Sequence, residues 1–532
     1  MNVMFLGAAR EVTGSSYLVT IHDKHVLIDC GMEQGRDTYV NQELPVNPYQ
    51  VDALVLTHAH IDHSGMVPAL VKRGFNGVIH ATPSTKMLCD IMLMDSAHIQ
   101  ETEAEWQNRK AQRSGGAPYE PIYTQADAQR ALTLFSPLHY GVPREILPGC
   151  VLTFTDAGHL LGSASVTLEL TEDGVTKTLV FSGDIGNLNQ PIIKDPQYLK
   201  TADYVVMEST YGDRLHGDRP DYLKNLSEVL QATFNRGGNV VIPAFAVGRS
   251  QEILYFLREI KEKGMVQGHD GFPVYMDSPL AIKATSIFLD SDPEAFDEEM
   301  QGLLRSGINP ITFPDLRICV TAEESKQINF ETRPCVIISA SGMAEAGRIR
   351  HHLKHNLWRH ECTILFVGYQ SVGTLGRQLY DGEKTVRLFN ETIAVKAEIR
   401  ALHAISGHAD QAGLLTWIDS FEPKPQKVFV AHGEENVALH FASLLNERGL
   451  QTEVPYSGDE WNLAQEAQVG AGSRQLVDKG MKKQQKIARR DNLVQEALGR
   501  LTALVQDSQG YSNKLKEKLA RQINELVRRW EE

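Results

Sequence analysis

The stretch LTHAHIDHSG, Leu56 to Gly65, places three histidines and an aspartate within six residues. It continues the apolar run ALVL, which predicts a buried strand. Imidazole and carboxylate groups are zinc ligands, and a catalytic zinc leaves one position to water. His58 and His60 are two residues apart, so both can reach one ion. Asp62 and His63 follow at once and can serve a second ion. A chance polar loop or a helix cap would explain a lone histidine better than this cluster.

The same pattern, an apolar β-branched run that leads into a polar loop, recurs through the first half of the chain. It is found in HVLIDCG, GCVLTFTDAGH, TLVFSGDIG and DYVVMEST, which carry Asp29, His159, Asp184 and Glu208. Continuous apolar runs of this length are typical of strands buried on both faces. With helical stretches between them, they predict an α/β architecture whose polar residues collect at strand ends, where ligand sites form.

A second rhythm, of strand, glycine or serine turn and helix, begins near Tyr211. It includes NVVIPAFAVGRSQEILYFLREI, PCVIISASGMAEAGRIRHHL and CTILFVGYQSVGTLGRQL. This rhythm predicts a doubly wound parallel sheet, and the lack of G-x-G-x-x-G argues against a dinucleotide site. Near Lys396 the first rhythm returns. The simplest interpretation is one domain, residues 1–209 and 396–465, that is interrupted by a second domain, residues 210–395.

After about Glu466 the β signal stops, and we expect a helical C-terminal extension over residues 466–532. Two apolar stripes have helical spacing: Val494, Leu498, Leu501 and Val505, then Leu515, Leu519, Ile523, Leu526 and Trp530. The segment DSQGYS between them predicts a turn, with Ser512 as an N-cap, so we expect a helical hairpin. Packing on the body or on another subunit is one role for it, and a basic arm that touches RNA phosphate is the alternative.

The composition indicates an ordinary soluble globular protein of two or three domains. The chain has 532 residues, 42% of them hydrophobic and 23% charged. No apolar run approaches the roughly 20 residues that span a membrane, and we interpret MNVMFLGAAR as a mature strand and not a signal peptide. The six scattered cysteines argue against disulfides and thiolate zinc, which favours the cytoplasm. The net charge of −14 weighs against a protein coated with basic surface, but it leaves room for a basic groove.

The signature H-x-H-x-D-H resembles that of the metallo-β-lactamase superfamily. The resemblance implies an αββα sandwich, an orienting role for Asp29 and two zinc ions bridged by a hydroxide. The ligands that it implies are His58, His60, His159 and Asp184 for one ion, and Asp62, His63, Asp184 and His432 for the other. Manganese or iron is an alternative, since nitrogen and oxygen donors do not decide for zinc.

The inserted domain, with Glu208 in VVMESTYGDR, His408 in ISGHADQAG and His432 in VFVAHGEEN, resembles the β-CASP branch of nucleic-acid nucleases. A histidine at the third position is similar to RNA-processing members, including the mRNA 3′-end cleavage subunit and its bacterial and archaeal relatives. The resemblance covers residues 1 to about 465. It implies a zinc-dependent endoribonuclease on single-stranded RNA that leaves 5′-phosphate and 3′-hydroxyl ends, with 5′-to-3′ exonuclease activity left open. His408 is the candidate general acid, oriented by Glu208, and Asp62 is the third candidate catalytic residue.

We expect the inserted domain to supply the RNA surface, because helix N-termini bind phosphate. The candidate RNA or phosphate contacts are Arg249, Ser250, Ser339, Ser341, Gly342 and Arg348. Plain packing between strand and helix is an equal alternative for each of them. Tyr211 and Tyr369 are candidate stacking residues that nothing ranks above core residues.

Two other functions compete with a ribonuclease. One is a thioester or small-molecule hydrolase of the same superfamily, which would not need the inserted domain. The other is a non-catalytic RNA-binding scaffold, which would have lost metal ligands. We expect an RNA substrate as the partner and no association with a membrane. A homodimer through the inserted domain or the C-terminal helices is left open.

Overall fold

The computed structural model describes most of the chain. The described residues are 1–34, 39–114, 118–217, 221–368, 370, 373–402, 406–477, 501–502, 504–505 and 512–531. Within these ranges, no helix combines the length and the apolar character that crossing a membrane would require.

The strands and helices alternate through the chain in the two predicted rhythms. The strands are β1 (Asn2–Gly7), β2 (Ser16–Ile21), β3 (Lys24–Ile28), β4 (Ala53–Val55), β5 (Val78–Ala81), β6 (Phe135–Pro137), β7 (Arg144–Leu147), β8 (Cys150–Asp156), β9 (Ala164–Glu172), β10 (Val175–Phe181), β11 (Tyr204–Glu208), β12 (Val240–Pro243), β13 (Val274–Met276), β14 (Leu316–Ile318), β15 (Val336–Ser339), β16 (Thr363–Phe366), β17 (Thr385–Leu388), β18 (Glu391–Ala394), β19 (Glu398–Ala401), β20 (Lys427–Ala431), β21 (Thr452–Glu453), β22 (Glu460–Asn462) and β23 (Ala467–Gly470). The α-helices are α1 (Ile61–Ser64), α2 (Val67–Lys72), α3 (Pro83–Ser114), α4 (Gln125–Leu132), α5 (Tyr222–Asn235), α6 (Arg249–Glu262), α7 (Pro279–Asp290), α8 (Glu298–Arg305), α9 (Ala322–Gln327), α10 (Ile349–Asn356), α11 (Leu375–Tyr380), α12 (Gln411–Ile418), α13 (Glu435–Glu447) and α14 (Asn513–Glu531).

Two of the sheets form a sandwich. The first has the order β23-β22-β1-β2-β3-β4-β5-β6, and the second has the order β21-β20-β11-β10-β9-β8-β7. Alternating apolar residues of both sheets fill the core between them, including Phe5, Phe154 and Phe429. Helices α2 to α4 cover the outer face of the first sheet, and α12 and α13 cover that of the second. This confirms the predicted αββα sandwich.

The sandwich is completed by residues from both sides of the insertion. Strand β11, which precedes the insertion, pairs in parallel with β20, which follows it, and the pairing aligns Glu208 with Ala431. The end of β11 and the loop after β20 are therefore adjacent, although the insertion separates them in the chain.

The inserted sheet is parallel throughout, with the order β14-β13-β15-β12-β16-β19. Helices pack on both faces, as the doubly wound prediction requires. Strand β19 pairs with β16, although the sequence places it just past the predicted boundary at residue 395. The strands and helices of the sandwich therefore resume only after Ala401.

The C-terminal region differs from the prediction at one point. The β signal does not stop at Glu466, because β23 pairs with β22 and extends the edge of the first sheet. This four-residue strand depends on its partner strand and carries little apolar pattern of its own. Helix α14 confirms the second predicted helix, and its Leu515 and Leu526 are about half exposed. Val494, Leu498 and residues 507–511 of the predicted turn lie outside the described residues, and Ser512, the predicted N-cap, directly precedes α14.

Candidate metal centre

The predicted metal donors converge where strands of the two sandwich sheets end. The signature loop follows β4 and is held by backbone hydrogen bonds to neighbouring loops: Ser15 N donates to Asp62 O, and Cys30 N donates to His63 O. His432 follows β20 in the left-handed region, with φ 47°, and its N–H donates to Ala8 O. These bonds orient side chains from distant parts of the chain towards one site.

The first cluster contains three histidines and Asp184. His60 Nδ1 lies 3.0 Å from His58 Nε2 and 3.2 Å from His159 Nε2. Asp184 Oδ2 lies 3.4 Å from His58 Nε2 and 3.5 Å from His159 Nε2. All four donors fall within 4.8 Å of one another.

The second cluster contains Asp62, His63 and His432, again within 4.8 Å of one another. His63 Nε2 lies 3.2 Å from His432 Nε2, and Asp62 Oδ2 lies 3.8 Å from the same atom of His432. Asp184 joins this cluster through Oδ1, which is 3.3 Å from His63 Nε2. Asp184 therefore stands between the two clusters.

The hydrogen bonds of these histidines suit metal ligation. His159 Nδ1 donates to Gly407 O at 3.1 Å, and His63 Nδ1 donates to Asp29 Oδ2 at 2.8 Å. Each bond assigns a proton to Nδ1 and turns Nε2 towards the cluster, as it would for a metal-bound imidazole. Asp184 Oδ1 is buried and has no hydrogen-bond partner in the described parts of the chain. The donor set thus fits divalent metal binding.

The protonation of the first cluster also suits a cation. Burial lowers the pKa of His58 and of His159 well below the usual value, and neighbouring histidines add to this effect. Burial acts to raise the pKa of Asp184, but His432, His63 and His58 outweigh it and hold that pKa well below its usual value. Neutral imidazoles beside a carboxylate are the ligand state of these groups.

The second cluster carries more charge. Burial acts to lower the pKa of His63, but Asp184 and Asp29 outweigh it and raise that pKa well above its usual value. Burial acts to raise the pKa of Asp62, but the neighbouring His432 and His63 outweigh it and hold that pKa well below its usual value. Without a cation, His63 therefore keeps its proton to a higher pH than an ordinary histidine does.

Glu208 and His408 form a pair beside Asp184. His408 Nδ1 lies 3.2 and 3.3 Å from the two carboxylate oxygens of Glu208, and its Nε2 lies 3.9 Å from Asp184 Oδ2. Ile185 N also donates to Glu208, at 2.5 Å. Burial acts to lower the pKa of His408, but the charges of Glu208 and Asp184 outweigh it and raise that pKa to about 9. The ring is thus held with Nε2 facing the cluster.

Several supporting residues were not found from the sequence. Thr57 donates to Asp29 from both its N–H and its Oγ1, at 2.8 Å each. Thr210 Oγ1 lies 3.1 Å from His432 Nδ1. Gln190 Nε2 donates to Gly407 O at 3.1 Å, and His216 Nε2 donates to His408 O at 3.1 Å. Threonine and glutamine carry no metal signal, and His216 stands outside the ligand motifs, so only the fold identifies these residues.

Most of the predicted RNA contacts in the inserted domain are occupied by internal bonds. Arg249 is buried and pairs with Glu252. Ser250 Oγ donates to Phe245 O, and Ser339 Oγ donates to Asp277 O, at 2.7 Å each. The packing alternative describes these three side chains better than phosphate binding does, because their polar atoms are already satisfied.

Arg348 is also tied into the inserted domain. Its guanidinium donates to Asp277 Oδ1 at 2.7 Å and to Val320 O at 2.7 Å. Asp277 is fully buried and also accepts from His352 and Ser325. Of the remaining predicted contacts, Ser341 is half-buried, Gly342 is buried, and Tyr369 lies outside the described residues.

The substitution Arg348→Ala is expected to lower the free energy of unfolding by about 2 kcal/mol, because it removes a charged hydrogen bond from a buried carboxylate. Chemical denaturation measures this change. Arg387→Ala, at an exposed arginine of β17, is the matched control and should leave stability unchanged. Unchanged stability of Arg348→Ala, with weaker RNA binding, would contradict the packing role.

Three family models match consecutive parts of the chain. The metallo-beta-lactamase superfamily model matches residues 9–244, and the Beta-Casp domain model matches residues 250–379. The model described as a Zn-dependent metallo-hydrolase RNA specificity domain matches residues 392–455. Helix α14 lies beyond these matches.

Curated relatives match over most of the chain. Ribonuclease TTHA0252 of Thermus thermophilus is 37% identical over 86% of this chain and 99% of its own length. Transcription termination factor FttA of Methanocaldococcus jannaschii is 32% identical over 86% of this chain and 71% of its own length. FttA of Methanosarcina mazei is 33% identical over 83% of this chain and 68% of its own length.

Proposed function

The chain belongs to the β-CASP branch of the metallo-β-lactamase superfamily, and from this we propose that it is a zinc-dependent ribonuclease that hydrolyses single-stranded RNA endonucleolytically. The proposal includes a 5′-to-3′ exonuclease activity at the same site. The observation that carries it is the position of His408 and Glu208 beside two adjoining donor clusters that share Asp184. A scaffold without activity would have no need of this complete set.

Two divalent ions are proposed, one in each cluster. His58, His60, His159 and Asp184 would hold the first, and Asp62, His63, Asp184 and His432 would hold the second. When bound, such a pair of ions would activate water at neutral pH and stabilise the charge that develops on the phosphoryl oxygens. Nitrogen-rich donors suit zinc, and manganese or iron is the alternative that metal analysis would identify.

The chain's own groups would complete the hydrolysis. Water attacks phosphorus, the bond from phosphorus to the 3′ oxygen breaks, and that oxygen needs a proton as it leaves. His408 would donate this proton from Nε2, because Glu208 holds its Nδ1 and keeps the ring protonated at neutral pH. The products would be a 3′-hydroxyl and a 5′-phosphate.

Several broader features belong to the same proposal. We propose domain boundaries near residues 209, 395 and 465, with the edge strand β19 counted with the inserted sheet. A cytoplasmic location and a homodimer through the inserted domain or α14 are likewise proposed. Native mass spectrometry would test the dimer.

The decisive experiment compares 5′-labelled and internally labelled single-stranded RNA, with and without a chelator. An endonuclease releases internal fragments of discrete lengths, whereas a 5′ exonuclease releases labelled mononucleotides first. The chelator should abolish both activities, and added zinc should restore them. Cleavage that persists in the chelator, or RNA left intact while a thioester is hydrolysed, would overturn the proposal.

Metal affinity is expected to rise with pH between about 6 and 8, because the cation must displace the proton that Asp184 and Asp29 hold on His63. The raised pKa of His63 extends this competition above the ordinary range of histidine. Competition with a chromophoric chelator at each pH, corrected for the protonation of the chelator, measures the dissociation constant. An affinity that is constant over this range would contradict the expectation.

A further inference from the structure

Phe245 is an exposed aromatic side chain at the carboxyl edge of the inserted sheet. It follows β12, and 43% of it is accessible to solvent. Its loop is anchored because Ser250 donates twice to Phe245 O, from Oγ at 2.7 Å and from the backbone N–H at 3.2 Å. Ligands of open parallel sheets bind outside the carboxyl ends of the strands, which is where this ring lies.

Two glycines form a floor under the ring. A Cβ on Gly342 would lie 3.2 Å from Phe245 Cδ2, and a Cβ on Gly368 would lie 3.5 Å from Phe245 Cε2. The Phe245 ring therefore packs against the backbone of Gly342 and Gly368. The buried Gln370 donates from Nε2 to the carbonyl oxygens of both glycines, at 3.1 Å each. Ring, loop and floor are thus held in one arrangement, and the outer part of the ring is a preorganised flat apolar surface.

The loop that carries this ring contacts the segment that follows His159. Gly248 lies three residues after Phe245, and a Cβ on it would be 3.2 Å from Leu160 Cδ1. Leu160 directly follows His159 in the first cluster. Three residues of backbone span at most about 11 Å, so the loop that carries the ring also contacts the segment that carries His159.

We propose that Phe245 is the stacking platform for one unpaired nucleobase next to the cleaved phosphodiester bond. This inference rests on the proposed ribonuclease function and names the contact that holds the substrate. Stacking on an aromatic ring tolerates any base, because every base has a π-face. The floor at Gly342 and Gly368 offers backbone to the ring, so the platform would bind a base without selecting its identity.

The first test compares variants at Phe245 on single-stranded RNA. Phe245→Ala is expected to raise KM about ten-fold, with kcat nearly unchanged, as is typical when one base loses its aromatic partner. Phe245→Trp should retain wild-type KM, and Phe245→Leu, which fills the space without a π-face, should resemble alanine. Phe330→Ala is the control: Phe330 is 76% exposed in the same domain but precedes β15, at the opposite edge of the sheet.

The second test places a single abasic nucleotide at each position of the RNA in turn. At one position next to the cut, the wild-type enzyme should lose about ten-fold in kcat/KM, and Phe245→Ala should lose nothing more. Equal losses in both proteins at every position would overturn the platform. Metal content and thermal melting establish that each variant is folded, and if alanine unfolds the protein, leucine against tryptophan decides.

The two hypotheses fail differently. If the wild-type protein cuts RNA and Phe245→Ala has the same KM, only the platform is wrong. If the wild-type protein neither cuts RNA nor binds a fluorescent RNA in an anisotropy assay, the ribonuclease proposal is wrong and the platform fails with it.

Discussion

Replacement of Asp184 by asparagine is expected to remove at least one of the two proposed ions and to lower kcat by on the order of 10³-fold. The two oxygens of Asp184 face both clusters: Oδ2 faces His58 and His159, and Oδ1 faces His63. Asparagine keeps the size but lacks the negative charge that two cations require. Metal ions contribute several kcal/mol of charge stabilisation, which corresponds to this loss of rate.

Two measurements check the Asp184 prediction besides kcat. Elemental analysis of the purified variant should give fewer ions per chain than wild type. Added zinc should raise the melting temperature of chelator-treated wild type but raise that of the variant less, since binding stabilises the folded state by mass action. Asp173→Asn is the matched control, at an exposed aspartate in the turn between β9 and β10 whose φ of 52° asparagine tolerates. Wild-type metal content with wild-type activity in Asp184→Asn would refute the shared-ligand role.

Removal of the His408 imidazole should lower kcat by about 10²- to 10⁴-fold, the range of general acid catalysis. Metal content should remain at the wild-type value, because the first cluster keeps all four of its donors, His58, His60, His159 and Asp184. Alanine leaves no group to protonate the departing 3′ oxygen. Exogenous imidazole should restore part of the rate. His360→Ala, at an exposed histidine that pairs only with Glu361 among the described contacts, is the control.

The pH profile separates an acid from a merely structural residue. Because the pKa of His408 is raised to about 9, its proton is present well below that pH and is lost as pH rises through it. In the metal-free protein, an NMR titration of His408 should have its midpoint near 9. Bound cations oppose protonation, so the descending limb of kcat should fall at or below this pH. Glu208→Gln should move the limb lower, and His408→Ala should lack it. Wild-type cleavage by His408→Ala would exclude this residue as the acid.

Much of the candidate metal centre could be predicted, because its donors are recognisable from their residue types and short spacings. H-x-H-x-D-H after an apolar run is a local pattern, and Asp184 and His432 also end strands whose apolar character is visible. The structure brings these donors together, and their role as ligands stays a prediction. His432 lies 369 residues after His63, and its approach depends on the pairing of β11 with β20.

The predicted RNA surface shows a property that the local sequence does not determine: the bonding partners of polar side chains. Arg348 and Ser339 have the types that bind phosphate, and both lie near a strand end. Their partners, above all Asp277, are distant in the chain, so the sequence could not reveal that these polar atoms were already satisfied. The edge strand β23 was missed for a related reason, since its conformation depends on β22 more than on its own residues.

The sequence by itself predicted the α/β class and the candidate donors of the metal centre, because strand periodicity and donor spacing are local properties, and its H-x-H-x-D-H motif carries the resemblance to the superfamily. Only the tertiary structure decided which polar side chains are free. It committed Arg348 to a buried carboxylate, turned His159 Nε2 towards the cluster through Gly407, and left Phe245 exposed above two glycines. Each of these outcomes depends on contacts between segments that are distant in the chain. Such contacts are set by packing and produce no periodic pattern in the sequence.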